Sequence, residues 1–190
     1  DERLREVVDI IDIRYWHYNT DGLWAPEGGG NMAPRQWMRK MKVGKTGFDE
    51  AYRAVKEYRE RYPEKAVTFN AQQYPSYGWA ILLAGGSLPN IPISPTTSDP
   101  LQQQLLQDIC KMKPSSGECC LALGDQQKGY LIYAQLMNPN IHVTAGTYNI
   151  YTVDTKTGAI TLYKKNARME VFQPDNAKPN QLFWLRLMRK

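Results

Sequence analysis

The segment Arg14-Tyr-Trp-His-Tyr-Asn-Thr-Asp-Gly-Leu-Trp-Ala-Pro-Glu-Gly-Gly interleaves aromatic rings with hydrogen-bonding groups. Trp16, Tyr18 and Trp24 offer flat faces on which the C–H side of a sugar ring stacks. Carboxylate, amide, imidazole and guanidinium groups beside them can read the polar edges of such a ligand. The same aromatics could equally pack the segment onto a sheet. Glu27 is the best-placed acid, because Gly28-Gly29-Gly30 behind it lets the backbone approach a ligand closely; its bland reading is a solvated loop glutamate. His17 has no second histidine, cysteine or acidic cluster at ligand spacing. It reads as a hydrogen-bonded structural residue or a partner for a sugar hydroxyl, not as a metal ligand. Arg35, Arg39, Lys40, Lys42 and Lys45 form a basic run without acids. That run is either a solvated face or a grip for phosphate or an acidic polysaccharide.

Several chemistries lack their signatures. The triple glycine is not followed by the Gly-Lys-Ser/Thr ending of a phosphate-binding loop, and no Gly-x-Ser-x-Gly elbow occurs. No nucleic-acid motif accompanies the basic balance, so no nucleic-acid partner is expected. Cys110, Cys119 and Cys120 form no Cys-x-x-Cys pair and lie near no histidine cluster. They read as small buried hydrophobes, with no disulfide framework, zinc site or other cofactor expected.

The elements that position these residues divide into two textures. Up to about residue 113, apolar runs alternate with helical patterns; from about 115, apolar runs alternate with turn signals. Val7 to Ile13 is a near-continuous apolar run fitting a strand buried on both faces of a parallel sheet. Thr46 with Asp49 suggests a capped helix start, and Phe48, Ala51, Tyr52, Val55, Tyr58 and Tyr62 give that helix one apolar face up to Pro63. Ala66–Asn70 is the next strand. Tyr77–Ala84 is a buried helix closed by Gly85 and Gly86. Leu88–Ile93 is a short strand. Asp99-Pro100 then caps a helix carrying Leu101, Leu105, Ile109 and Met112 on one side. Strands are expected at Cys119–Leu123, Tyr130–Gln135, Thr147–Val153, Ile160–Lys164, Met169–Phe172 and Leu182–Leu187. A turn at Asp154–Gly158 joins two of them.

Length and charge bound the rest. The 190 residues carry 24 Lys/Arg and 19 Asp/Glu, with 42% hydrophobic and 11% aromatic residues, which is globular rather than disordered composition. No run approaches the ~20 apolar residues that span a bilayer, so no membrane span is expected. Residues 66–98 contain no charged residue, which marks an interior segment.

In order, Asp9-Ile-Ile-Asp-Ile-Arg-Tyr-Trp-His-Tyr, Ala66-Val-Thr-Phe-Asn-Ala-Gln-Gln-Tyr, Gly78-Trp-Ala-Ile-Leu-Leu-Ala-Gly-Gly-Ser and a β-rich tail with a Gly146-Thr-Tyr strand and an Asp154-Thr-Lys-Thr-Gly turn resemble the C-terminal part of apiosidase-like glycoside hydrolases. The resemblance is closer still to uncharacterised barrel relatives from polysaccharide-degrading bacteria. Members of that family are (β/α)8 barrels followed by a β-sandwich labelled collagen-binding. The resemblance implies an α/β plus all-β chain. Residues 1–114 would supply barrel strands six to eight, and residues 115–190 a small antiparallel β-sandwich. The first five βα units would come from an N-terminal barrel portion or a partner chain. It further implies a periplasmic or secreted glycoside hydrolase acting on polysaccharide, with Trp16, His17, Tyr18, Trp24, Arg35, Gln72 and Tyr74 binding substrate and Glu27 as the catalytic candidate. The family ends strand seven in Asn/Asp-Gly-Glu, whose glutamate is catalytic. Here the run is Asn70-Ala71-Gln72, and glutamine neither ionises near neutral pH nor donates an acidic proton. Three readings therefore stand: part of a hydrolase that is inactive as this chain alone, a carbohydrate-binding protein derived from the same barrel, or an interaction module built on the β region.

Overall fold

A computed structural model describes residues 7–13, 47–69, 77–117, 120–137 and 139–188. The chain forms two compact units, residues 1–90 and residues 91–190.

The first unit is α/β. Strand β1 (Ile10–Ile13) pairs in parallel with β2 (Ala66–Phe69), Ile10 opposite Ala66 and Ile13 opposite Phe69. Helix α1 (Phe48–Arg61) lies between them in sequence, and α2 (Gly78–Leu83) follows β2. Helix α1 carries Asp49 and Glu50 in its first turn and Arg59 and Arg61 in its last. Both placements favour the helix dipole. Its N-cap is Gly47, with no side-chain cap bond, rather than the expected capping box from Thr46. The helix stops at the residue pair before Pro63, with Tyr62 N donating to Tyr58 O. Helix α2 is nearly all apolar (Gly-Trp-Ala-Ile-Leu-Leu) and buries Trp79, Ala80, Ile81 and Leu83. Gly85 ends it at φ 77°, a left-handed conformation that costs glycine little. Ile13, Val67, Ala54, Val55, Ile81 and Ala84 share one core, with Ile11 and Phe69 packed against it. The period-two alternation of the strands therefore turns Ile11, Ile13, Val67 and Phe69 towards the helices.

Two expectations fail in this unit. The first strand is not buried on both faces: Ile10 is 60% exposed and Val7 72%. Among the described residues this sheet has only two strands, and α1 and α2 pack on the face that carries Ile11, Ile13, Val67 and Phe69. Leu88–Ile93 is not a strand. Pro89 and Pro92 cannot donate to a ladder, and Leu88 sits at φ 52° and 87% exposed.

The second unit is sheet-rich. It opens with helix α3 (Pro100–Ile109), capped as expected: Asp99 Oδ1 accepts from Leu101 N at 2.8 Å and Gln102 N at 3.2 Å. Six antiparallel strands follow: β3 (Lys113–Gly117), β4 (Cys120–Asp125), β5 (Gly129–Ala134), β6 (Ile141–Val153), β7 (Ile160–Phe172) and β8 (Gln181–Leu187). They join one sheet in the order β3-β4-β5-β8-β6-β7. Only Tyr148–Val153 of β6 pairs with β8, whereas β6 pairs with β7 from Ile141 to Val153 across several register shifts. Irregularities of this kind bend a strand locally and increase its twist. Ile141, Val143 and Phe172 at the far end share a core with Cys120, Ala122, Tyr130 and Ile132 of β4 and β5.

The other face of β5, β6 and β8 buries Leu131, Tyr151, Leu182 and Trp184. Helix α3 is tied to the β elements at three points. Gln102 Nε2 donates to Gly158 O at 3.1 Å, Arg186 Nη2 donates to Gln104 Oε1 at 3.0 Å, and Asp108 is ion-paired with Lys128 and Arg186. Cys120 is buried as expected, but Cys110 is exposed at the C-cap of α3; neither is in a disulfide. No helix among the described residues is long and apolar enough to cross a membrane.

Candidate functional site

The sequence candidates fall on two segments. Trp16, His17, Tyr18, Trp24, Glu27 and Arg35 lie within residues 14–46, and Gln72 and Tyr74 within residues 70–76; both segments lie outside the described residues. What is described is the pair of strands from which each segment issues. Ile13 ends β1, Phe69 ends β2, and these two residues are register partners in a parallel ladder. Neighbouring strands lie about 4.8 Å apart. The chain therefore enters both candidate segments side by side, at the carboxyl ends of parallel strands. That edge is where open and closed α/β sheets place their ligand sites, because loops leaving it converge over the strand ends.

One charged group stands at this edge on the described residues. Asp12 is opposite Thr68 in the ladder, and Thr68 Oγ1 donates to Asp12 Oδ1 at 2.9 Å. Both precede the last residue of their strands. By alternation they point away from the face that carries Ile11, Ile13, Val67 and Phe69. The polar pair thus occupies the face that the helices do not cover.

Asp12 was not singled out by sequence reasoning. Its signal was an acid inside the run Val-Val-Asp-Ile-Ile-Asp-Ile, at a position that alternation assigns to the face opposite the core residues. Residues 66–98 contain no acid, yet the ladder brings Asp12 against Thr68 within that stretch. Among the described residues, no group of three or more His, Cys, Asp or Glu could hold a metal ion.

The family model described as a domain of unknown function (DUF6298) matches residues 1–112. That match covers more than half of the chain, which therefore belongs to this family. It spans β1 to α3 and stops short of β3. No curated protein matches the chain.

Proposed function

We propose that this DUF6298 chain is part of a polysaccharide-acting protein, resembling the apiosidase-like glycoside hydrolases, whose glycan site lies over the carboxyl ends of β1 and β2. The observation that carries the reading is the parallel Ile13–Phe69 register, from which both candidate segments leave side by side. Trp16, Tyr18, Trp24 and Tyr74 would stack on sugar rings, and His17, Arg35 and Gln72 would bond hydroxyls. Glu27, beside Gly28-Gly29-Gly30, is the catalytic candidate, and Asp12 adds a second carboxylate at the strand ends. A parallel sheet that is two-stranded among the described residues, with a half-exposed β1, supports completion by further strands, since parallel sheets are otherwise covered on both faces. A (β/α)8 barrel is the architecture that would complete it. A periplasmic or secreted location accompanies this reading by resemblance.

A non-catalytic glycan-binding protein is the second reading, and Gln72 favours it. An amide in the place of the family's strand-seven glutamate binds a hydroxyl but cannot serve as nucleophile or acid. The test is a glycan array with the full chain, followed by calorimetry on any hit and a reducing-sugar assay. The expected outcome is binding that Trp16→Ala and Trp24→Ala abolish, with no sugar released. Release of sugar by this chain alone would establish a hydrolase and exclude the binding-only reading. Binding that survives both tryptophan replacements would remove the site from the strand ends.

A further inference from the structure

The family domain runs to residue 112, whereas the chain divides between Asn90 and Ile91. Residues 91–112 thus belong to the family by sequence and to the sheet-rich unit by packing. Pro92 and Ile93 lie against the β6–β7 turn, where a Cβ on Gly158 would meet Pro92 O at 2.5 Å and Ile93 Cγ1 at 2.6 Å. Ile93 is buried. The carbonyl oxygen of the same glycine accepts from Gln102 Nε2 of α3 at 3.1 Å. One turn of the sheet therefore fastens both the segment before α3 and the first half of the helix.

Helix α3 depends on that sheet. An isolated helix shorter than about 12–15 residues is marginal in water, and α3 has 10. Leu105 and Ile109 are buried along one side of it. Asp108 stands in its last turn, where the dipole disfavours negative charge, and is 1% exposed. The cations that answer this carboxylate come from the β4–β5 turn and from β8: Lys128 at 3.6 Å and Arg186 at 3.8 Å. Without the sheet the carboxylate would have to return to water and take the last turn of the helix with it.

The dependence runs the other way too. Leu131, Leu182 and Trp184 are fully buried, yet they lie on the face of the sheet opposite Ile132, Phe183 and Leu185, which fill the other core. Arg186 shares the Trp184 face by alternation, and its Nη2 donates to Gln104 Oε1 of α3 at 3.0 Å. That bond sets α3 over the same face.

We propose that residues 91–112 and the β sheet form one cooperative unit, in which the sheet face around Trp184 is the docking surface for the C-terminal segment of the family domain. The β strands are then a fixed scaffold for that segment, not an appendage that starts after residue 112. The inference rests on the sheet-rich unit alone and does not depend on the glycan reading.

The test is native-state hydrogen exchange on the full chain, read at the backbone amides of α3, β5 and β8, with α1 as the reference. Leu105→Ala opens a cavity under α3 and should speed exchange in α3, β5 and β8 by one common factor, about thirtyfold or more. Exchange in α1 should keep the parent rate. Gln102→Ala removes the bond to Gly158 and should speed the same three elements equally, about fivefold. It decides the matter if Leu105→Ala fails to fold. Faster exchange confined to α3 would show a helix that detaches from a self-sufficient sheet, and would overturn the proposal. Equal acceleration in α1, or parent rates throughout in the folded variants, would overturn it as well.

Discussion

Thr68 donates its hydroxyl to Asp12 at 2.9 Å across the parallel β1–β2 ladder, on the face opposite the helices. A solvent-reached hydrogen bond of this kind contributes about 1 kcal/mol or less to stability. Thr68→Val and Asp12→Asn are therefore expected to keep the urea midpoint near that of the parent. Their effect should appear in ligand binding: Asp12→Asn should lower glycan affinity about tenfold, through loss of a charge-assisted bond. Calorimetry on both variants checks this. Unchanged affinity in Asp12→Asn would remove this carboxylate from the proposed site.

Trp184 sits fully buried at the centre of the sheet, stacked on Tyr151 at 4.9 Å between ring centroids and 27° between planes. Its indole nitrogen has no hydrogen-bond partner. Removing the ring and removing the N–H should then act in opposite directions. Trp184→Ala is expected to cost about 3–5 kcal/mol through the cavity it leaves. Trp184→Phe keeps a stacking ring and deletes an unsatisfied donor, which by itself relieves about 1–3 kcal/mol, so its net cost should stay below about 1.5 kcal/mol. Urea denaturation of the three proteins measures the difference. A phenylalanine variant as unstable as the alanine variant would show that the indole's shape, not its burial, carries the packing.

Asp154 organises the β6–β7 turn by accepting at Oδ1 from Lys156 N and Thr157 N, both at 2.8 Å. The backbone bond from Thr157, then that from Lys156, holds its carboxyl below the usual carboxylate range. The folded chain thus favours the ionised form. The resulting stabilisation is present above the unfolded pKa, about 3.9, and is lost as pH falls through the lower folded value. Asp154→Ala should therefore lower the urea midpoint at neutral pH, and the gap to the parent should narrow in acid. A gap that stays constant down to about pH 2 would mean that the turn does not depend on the charge.

That turn was legible because Asp-Thr-Lys-Thr-Gly contains its own instructions: an acceptor side chain, two following amides, and a glycine that takes φ 73°. Asp99-Pro100 and Gly85 were legible for the same local reason. Elements set by distant partners were not. Ile160–Lys164 and Met169–Phe172 are one strand, because the bulge at Asn166, φ 53°, is held by Asn149 Oδ1 accepting its N–H across the ladder. The charged residues between them hide that continuity. Strand β3 was not legible because Lys-Pro-Ser-Ser-Gly has no strand pattern, and it holds the edge position next to β4 where proline is tolerated. Asp12 and Asp108 escaped for a related reason. Each becomes significant only through residues 56 and more positions distant, or through a helix end meeting a sheet turn, as in the Asp108–Lys128 pair.

Tyr148 and Tyr130 hold Thr144 of β6 from two sides. Tyr148 donates its hydroxyl to Thr144 O, while Tyr130 Oη accepts from Thr144 N at 3.0 Å and shares a 3.0 Å hydrogen bond with Thr144 Oγ1. The Tyr148 side chain is buried, and burial first, then the neighbouring Tyr130, pushes its hydroxyl up to about 12. The folded chain keeps this proton where the unfolded chain, with a tyrosine pKa near 10, releases it. Stability from this group is full below about pH 10 and is lost as pH rises towards the folded value. Tyr148→Phe should cost about 1 kcal/mol at neutral pH through the lost bond. Above about pH 10 it should lose stability less steeply than the parent, because it has no proton to surrender. Urea midpoints measured from about pH 8 to about pH 11 test this, and parallel curves for the two proteins would place the alkaline sensitivity elsewhere in the chain.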